Sequence, residues 1–197
     1  MYLNCHSFHS LRYGTIPIQE LIAHALKCGV TAMALTDINT VTGIYEFIKG
    51  CNDVGIKPIV GMEFRYEHKL RFIGLAKNAE GLAEMNWFLT QHNIHDLVLQ
   101  PAAPDFRHVF IIYPLENAPA VLKESEFIGI RPEQLSKLVL SDWKNRQEKM
   151  VILQPVTFRN KKEYKLHKIL RAIDLNVLLS KLTSADSCKD SEIMVEV

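Results

Sequence analysis

The feature that most constrains the fold is the alternation of short apolar runs with amphipathic stretches from the first residues onward. Three apolar runs are typical of buried strands and cover residues 2–5, 32–36 and 57–64. The segments between them have helical spacing, one opening at Pro17 and the other covering about residues 42–53. Gly29 and Gly55 are the predicted stops. This order predicts parallel βα units, in either a doubly wound sheet or a barrel.

The rest of the chain is less regular but adds further elements. Four more strands are predicted at residues 69–76, 109–113, 127–130 and 151–153. Helices are predicted at residues 80–91, near 132–140 and at 161–173. Seven strands with helices between them favour an α/β fold of the distorted (β/α)7 barrel type over a two-layer sandwich.

The last predicted helix carries two kinds of side chain on different faces. Its apolar stripe consists of Leu166, Ile169, Leu170 and Ile173. Its basic residues are Lys161, Lys162, Lys165, Lys168 and Arg171. A charged face opposite an apolar stripe is typical of a helix with one side in solvent, so we expect these cations to be solvated.

Composition limits the class of protein and its surroundings. The 197 residues, 48% apolar and 23% charged, predict a folded domain and exclude wholesale disorder. A net charge of +1 gives no global attraction to DNA or to an anionic membrane. The four cysteines are scattered along the chain, which has neither a signal peptide nor an apolar run long enough for a membrane span. These features favour a reducing, cytoplasmic location. We expect a domain at residues 1–182 and a polar tail or connection at 183–197.

Polar residues follow each of the first three predicted strands. His6 and His9 come after the first strand, Asp37 comes after the second, and Glu63 ends the third. In parallel βα folds the active site gathers at the carboxyl ends of the strands. We therefore predict that His6, Asp37 and Glu63 converge at one mouth, with His9 as a neighbour.

The same segments resemble the PHP (polymerase and histidinol phosphatase) domain of the bacterial DNA polymerase III alpha subunit. That family reads His-x-His-Ser-x-x-Ser-Leu-Leu-Asp-Gly, Leu-Thr-Asp-His-Gly, Lys-Pro-Ile-x-Gly-x-Glu and Leu-Ala-Lys-Asn-x-x-Gly. Residues 4–14 read Asn-Cys-His-Ser-Phe-His-Ser-Leu-Arg-Tyr-Gly, and residues 35–39 read Leu-Thr-Asp-Ile-Asn. Residues 57–63 read Lys-Pro-Ile-Val-Gly-Met-Glu, and Leu-Ala-Lys-Asn at 75–78 precedes Gly81. The resemblance implies a fold similar to a TIM barrel.

The resemblance also implies which residues would hold metal. Active members of the family bind two or three metal ions through His, Asp and Glu. Of seven ligand positions placed on this chain, only His6 and Glu63 keep the residue type of the family. The other five positions carry Asn4, Tyr13, Ile38, Pro155 and Thr157.

The missing ligands predict a degenerate metal site and no catalytic residues in this domain. A catalytic metal usually needs about three protein ligands, and neither Ile38 nor Pro155 has a side-chain lone pair. We therefore expect no cofactor here. Mg²⁺ would serve a polymerase core outside these residues, and Zn²⁺ or Mn²⁺ would enter only if the chain were a phosphoesterase. His9 and Asp37 could complete a residual site with His6 and Glu63.

The resemblance predicts that these residues are the N-terminal PHP domain of a DNA polymerase III alpha subunit, and so part of a longer chain. That longer chain would replicate DNA. It would be a DNA-directed DNA polymerase, which is a nucleotidyltransferase. The domain would act as a scaffold, with the polymerase core of the same chain and a proofreading exonuclease subunit as partners. DNA would be bound only through the whole polymerase, and no membrane is involved. One alternative is a metal-dependent phosphoesterase acting on histidinol phosphate or DNA ends; another is a free-standing adaptor. A main replicative and an error-prone polymerase both remain open as the parent.

Overall fold

The computed structural model describes residues 1–139 and 142–195 and confirms an α/β fold. Its strands are Tyr2–Cys5 (β1), Ala32–Leu35 (β2), Lys57–Tyr66 (β3), Lys69–Ala76 (β4), Val109–Pro114 (β5), Glu126–Ile130 (β6), Met150–Ile152 (β7) and Pro155–Val156 (β8). Its α-helices are Ile18–Lys27 (α1), Ile44–Asp53 (α2), Ala79–His95 (α3), Leu135–Val139 (α4) and Lys161–Asp174 (α5). None of the described helices combines the length and apolar character needed to cross a membrane.

The chain divides into two compact units, and the first consists of Met1–Ile59 with Pro155–Val197. In this unit β1 pairs in parallel with β2 on one side and with β8 on the other. Helices α1 and α2 pack together, and both contribute to a buried apolar core that includes Leu21, Phe47 and Met33 of β2. The predicted helix stops at Gly29 and Gly55 are confirmed, since both residues have a positive φ (69° and 77°) that a residue with a Cβ adopts only with strain.

The second unit consists of Val60–Gln154 and mixes the two kinds of strand pairing. Strand β4 is antiparallel to both β3 and β5, whereas β6 is parallel to both β5 and β7. Only Glu67 and His68 separate β3 from β4, and both have a positive φ, as a type I′ hairpin turn requires. A parallel crossover needs about a dozen residues or more, so this short connection explains why the regular βα pattern breaks here.

The seven strands predicted from the sequence are all present, with ends shifted by at most two residues. The eighth strand, Pro155–Val156, was missed because two residues are too few for a periodic signal. The helix predicted near 132–140 is a 3₁₀ turn at Pro132–Gln134 followed by α4, and residue 140 lies outside the described residues.

Helix α5 spans the residues predicted for it, but a different side of the helix is buried. Leu166, Ile169 and Ile173 are 45%, 45% and 60% exposed, and we call these three side chains the outward apolar face. The buried residues are His167, Arg171 and Ala172. Arg171 pairs with the Asp174 carboxylate and donates to a backbone carbonyl, so the expectation that it is solvated was wrong.

The described part of the C-terminal segment, up to Val195, packs against the rest of the first unit. Cys188 and Met194 are buried, and Met194 belongs to the same apolar core as Leu21. The Val195 N–H donates to the Tyr2 hydroxyl at 2.9 Å. The domain boundary after residue 182 stays a prediction.

The four free cysteines, Cys5, Cys28, Cys51 and Cys188, are buried, and this predicts slow thiol chemistry. Burial raises the pKa of Cys51 to about 11, and burial also raises the pKa of Cys5. A raised pKa keeps a thiol protonated at about pH 8, and only the thiolate attacks a disulfide. Ellman's reagent should therefore modify the folded chain at less than about 1% of its rate with the chain unfolded in guanidinium chloride. A Cys51→Ala variant should lower the number of thiols found after unfolding by one, and equal rates for folded and unfolded chain would contradict the buried placement.

Candidate functional site

The carboxyl ends of β1, β2 and β8 form the candidate site in the first unit. Because these strands are parallel neighbours, the residues that follow them lie at one edge of the sheet. Asn4 of β1 lies opposite Pro155 of β8, and His6 donates its backbone N–H to the carbonyl of Val156. Two segments separated by about 150 residues of chain, each identified as a ligand segment by resemblance, are thus side by side.

His6 is fully buried and belongs to a hydrogen-bonded chain of side chains. Its Nδ1 lies 3.0 Å from the Thr157 hydroxyl, which in turn donates to Oε2 of Glu192 at 2.7 Å. A threonine hydroxyl has one hydrogen, and Glu192 receives it, so Nδ1 of His6 must be the donor to Thr157. This fixes the proton of a neutral His6 on Nδ1.

Glu192 is a site residue that the sequence did not reveal. It is buried, and it also accepts the Thr157 N–H at its backbone carbonyl at 3.0 Å. The sequence around it is polar and was interpreted as a tail; the only signal is the apolar pair Ile193 and Met194 beside it. A single carboxylate in a polar segment gives no pattern that would distinguish it from a surface residue.

Asp37 is buried, and both of its carboxylate oxygens accept hydrogen bonds from the loop after β1. Oδ1 accepts from the Ser7 N–H at 2.7 Å and from the Ser10 hydroxyl at 2.6 Å, and Oδ2 accepts from the Ser7 hydroxyl at 2.7 Å. The Ser10 hydroxyl also accepts from the Ile38 N–H at 3.1 Å. Asp37 therefore anchors the loop that carries His6 and His9. The two serines are part of the quoted family motif, but their role becomes visible only in three dimensions.

His9 is half-buried at the outer part of the same loop. Its ring packs on Phe8 with ring centroids 4.3 Å apart. It also lies against Gly43, where an added Cβ would come within 2.7 Å of the imidazole. The imidazole of His9 therefore lies against the Phe8 ring and close to the backbone of Gly43. Its role as a neighbouring ligand stays a prediction.

Tyr13 and Ile38, two of the substituted ligand positions, belong to an apolar cluster with Phe158 and Cys188. The cluster is closed by His167, whose Nδ1–H donates to the Tyr13 carbonyl at 2.7 Å. Nε2 of the same ring accepts from the Cys188 N–H at 3.1 Å. The side chains at these two positions thus contribute packing.

Glu63 lies in the second unit, where it is buried and forms an ion pair with Arg65 two residues along β3. Side chains two apart on a strand point to the same face, which allows this contact. The predicted convergence of Glu63 with His6 and Asp37, and its part in a residual metal site with His6, stay predictions. Across residues 1–139 and 142–195, no group of three or more His, Cys, Asp or Glu side chains is placed to hold a metal ion.

The role of Asp37 as a loop anchor can be tested by removing its carboxylate. Asp37→Ala leaves the buried donors of Ser7 and Ser10 without an acceptor, so the free energy of unfolding should fall by about 2–4 kcal/mol. The matched control is Asp105→Ala, whose carboxylate is exposed and pairs with Lys123; because solvent screens that pair, the variant should have nearly the stability of the unmodified chain. Urea unfolding followed by circular dichroism measures both. Equal losses in the two variants would contradict the anchor role.

Comparison with known proteins gives the family. The PHP domain model matches residues 3–111, more than half of the chain. The DNA polymerase III subunit alpha of Ureaplasma parvum serovar 3 is 26% identical over 167 residues, which are 80% of this chain and 16% of that protein. An error-prone DNA polymerase of Symbiobacterium thermophilum is 36% identical over 90 residues, 46% of this chain and 8% of that one. The chain thus spans about a sixth or less of the length of these relatives.

A solved structure of an amidohydrolase from Chromobacterium violaceum aligns with 89% of this chain and 84% of its own, at 14% identity and a TM-score of 0.39. A similarity at that level carries no argument about function. The family match is different, because it covers the loop after β1, the Asp37 segment and the β3–β4 hairpin in one continuous stretch. The chain therefore belongs to the PHP domain family, and it is homologous to DNA polymerase III alpha subunits.

Proposed function

We propose that this chain is the PHP domain of a DNA polymerase III alpha-type protein, with a degenerate metal site and a scaffold role in DNA replication. The names and the lengths of the relatives support this proposal, since the matched region is a small part of each polymerase. Nucleotidyl transfer with Mg²⁺ would then belong to the polymerase core outside these residues. The partners would be that core and a proofreading exonuclease subunit.

The observation that carries the degenerate site is the placement of Tyr13 and Ile38, two of the substituted ligand positions, in an apolar cluster with Phe158. With Nδ1 of His6 donating to Thr157, Nε2 is the nitrogen of this ring that could serve as a ligand, and one imidazole nitrogen does not hold a metal cluster. The oxygens of Asp37 are already bound by three serine donors. Ile38 and Pro155 bring no side-chain lone pair. This donor set does not fit a cluster of two or three metal ions, so the proposal derives no reaction step through one.

The outward apolar face of α5 supports the scaffold role. Its three side chains are followed along the chain by three more exposed apolar residues, Val177, Leu178 and Leu179. Apolar groups clustered on a surface mark sites of protein contact, because covering them with another protein removes apolar area from water. A docked polymerase core or exonuclease subunit would supply that cover.

The second candidate, a metal-dependent phosphoesterase, is favoured by one observation. His6 and Glu63, which keep the residue types of the family ligands, are both buried rather than lost to solvent. Metal content and hydrolysis separate the two candidates.

The scaffold proposal predicts that the untagged, purified chain contains less than about 0.1 equivalent of zinc or manganese by elemental analysis. It also predicts no turnover of nitrophenyl phosphate or of a DNA 3′ end in added Mn²⁺, because the site cannot lower the pKa of a bound water. Glu63→Ala is the control for contaminating activity and should give the same background. Tight binding of one equivalent or more, or turnover abolished by Glu63→Ala, would favour the phosphoesterase.

The docking role predicts that charges on the outward apolar face prevent partner binding without unfolding the chain. Ile169→Glu combined with Ile173→Glu should weaken capture of the polymerase core, supplied as a separate polypeptide from the same organism, by more than about tenfold. Val121→Glu is the matched control, since Val121 is 81% exposed and lies in the second unit. A parallel assay uses the exonuclease subunit. If the double variant captured both the polymerase core and the exonuclease subunit to the same extent as Val121→Glu, the outward apolar face would not be the docking surface.

A further inference from the structure

A cavity of about 580 Å³ lies beside the amino-terminal half of α5, in the first unit. Its lining consists of Phe158, Asn160, Lys161, Tyr164, Lys165, Lys168, Asp190 and Ile193. Small-molecule sites usually have volumes of about 300–1,000 Å³, so the cavity has room for one ligand of that class. Phe158, Tyr164 and Ile193 of this lining also pack in the apolar cluster of Tyr13 and Ile38, whereas the lysines of the lining are not part of the candidate site.

The cavity is rich in cations that lack an acidic partner. Lys161, Lys165 and Lys168 are four and three residues apart, so they lie on one face of α5. Among the described residues, none of the three ammonium groups forms an ion pair with a carboxylate. The charged residues of the lining are three lysines and one acid, Asp190, so the lining carries an excess of positive charge. Three like charges around one cavity repel each other, and an anion placed among them would relieve that repulsion.

Aromatic and aliphatic side chains form the rest of the lining. Phe158 is nearly fully buried, and its ring centroid lies 5.0 Å from that of Tyr164. The ammonium of Lys168 lies 5.8 Å from the centroid of the Tyr164 ring, so a cation and an aromatic face are presented together. Ile193 adds an aliphatic wall from the C-terminal segment. A planar ring could pack against this part of the cavity while its charged group lies among the lysines.

We propose that this cavity is a binding site for a nucleoside phosphate. A phosphate group matches the three ammonium groups, and a base matches the aromatic and aliphatic walls. The ligand is a single nucleotide unit, because the cavity is concave and the three lysines cover less than two turns of α5. A free nucleotide and the phosphorylated end of a single strand share this chemistry. The site does not depend on the proposed scaffold role, since neither a metal ion nor a partner protein takes part.

Calorimetric titration in a buffer with EDTA tests the site, because the chelator removes any contribution from bound metal. The probes are dATP, inorganic triphosphate and a short 5′-phosphorylated oligothymidylate. We expect saturable dATP binding with a dissociation constant below about 1 mM, weakened by added salt. Binding of dATP without the oligonucleotide identifies a free nucleotide as the ligand, and stronger binding of the oligonucleotide identifies a strand end.

Substitutions on α5 assign the binding to the cavity. Lys161→Ala, Lys165→Ala and Lys168→Ala should each weaken dATP binding by about threefold, and the triple variant by about thirtyfold. The matched control is Lys162→Ala, an exposed lysine of the same helix that does not line the cavity, and it should bind as the unmodified chain does. Tyr164→Leu should weaken dATP more than inorganic triphosphate, because only dATP has a ring to pack on the tyrosine. No saturable binding by any probe, or equal losses in Lys162→Ala and the three cavity variants, would overturn the proposal.

Discussion

The first unit depends on the pairing of β1 with parallel neighbours on both of its sides. This pairing places the loop after β1, the turn after β2 and the residues after β8 at one edge of the sheet. Two sets of buried polar contacts follow from that geometry: Asp37 reaches Ser7 and Ser10, and Thr157 reaches His6. Without both neighbours, these groups would be buried without partners or exposed to water.

Much of the fold could be predicted from the sequence, because strands and helices with several apolar residues have a measurable period. The exceptions have physical causes. Strand β8 has two residues, and its pairing partner is about 150 residues away, so neither length nor local pattern reveals it. On α5 the apolar spacing predicted the wrong buried side. His167 and Arg171 can be buried there because backbone carbonyls accept their hydrogen bonds, which offsets the cost of removing them from water.

The candidate site was only partly visible in the sequence. The positions after the strands identified His6 and Asp37 as candidates, and both lie at the predicted edge in the first unit. Their contacts could not be predicted, because a carboxylate that binds a metal and one that binds two serines look the same in a sequence. The only sequence signal near Glu192 was the apolar pair Ile193 and Met194, which does not identify a buried carboxylate. In a metal cluster the cations neutralise buried carboxylates, whereas here hydroxyl and amide donors stabilise Asp37 and Glu192.

The long separation between β1 and β8 has a consequence for how the chain is made. On the ribosome β1 emerges before β2, and the two strands can pair as soon as β2 has emerged. The other edge of β1 has no partner until residue 156 has left the exit tunnel, and Thr157 and Glu192 arrive later still. During that interval a row of unpaired backbone groups is open to other chains. The nascent chain therefore has an unpaired strand edge from the time β1 emerges until β8 and the residues up to Glu192 have followed it.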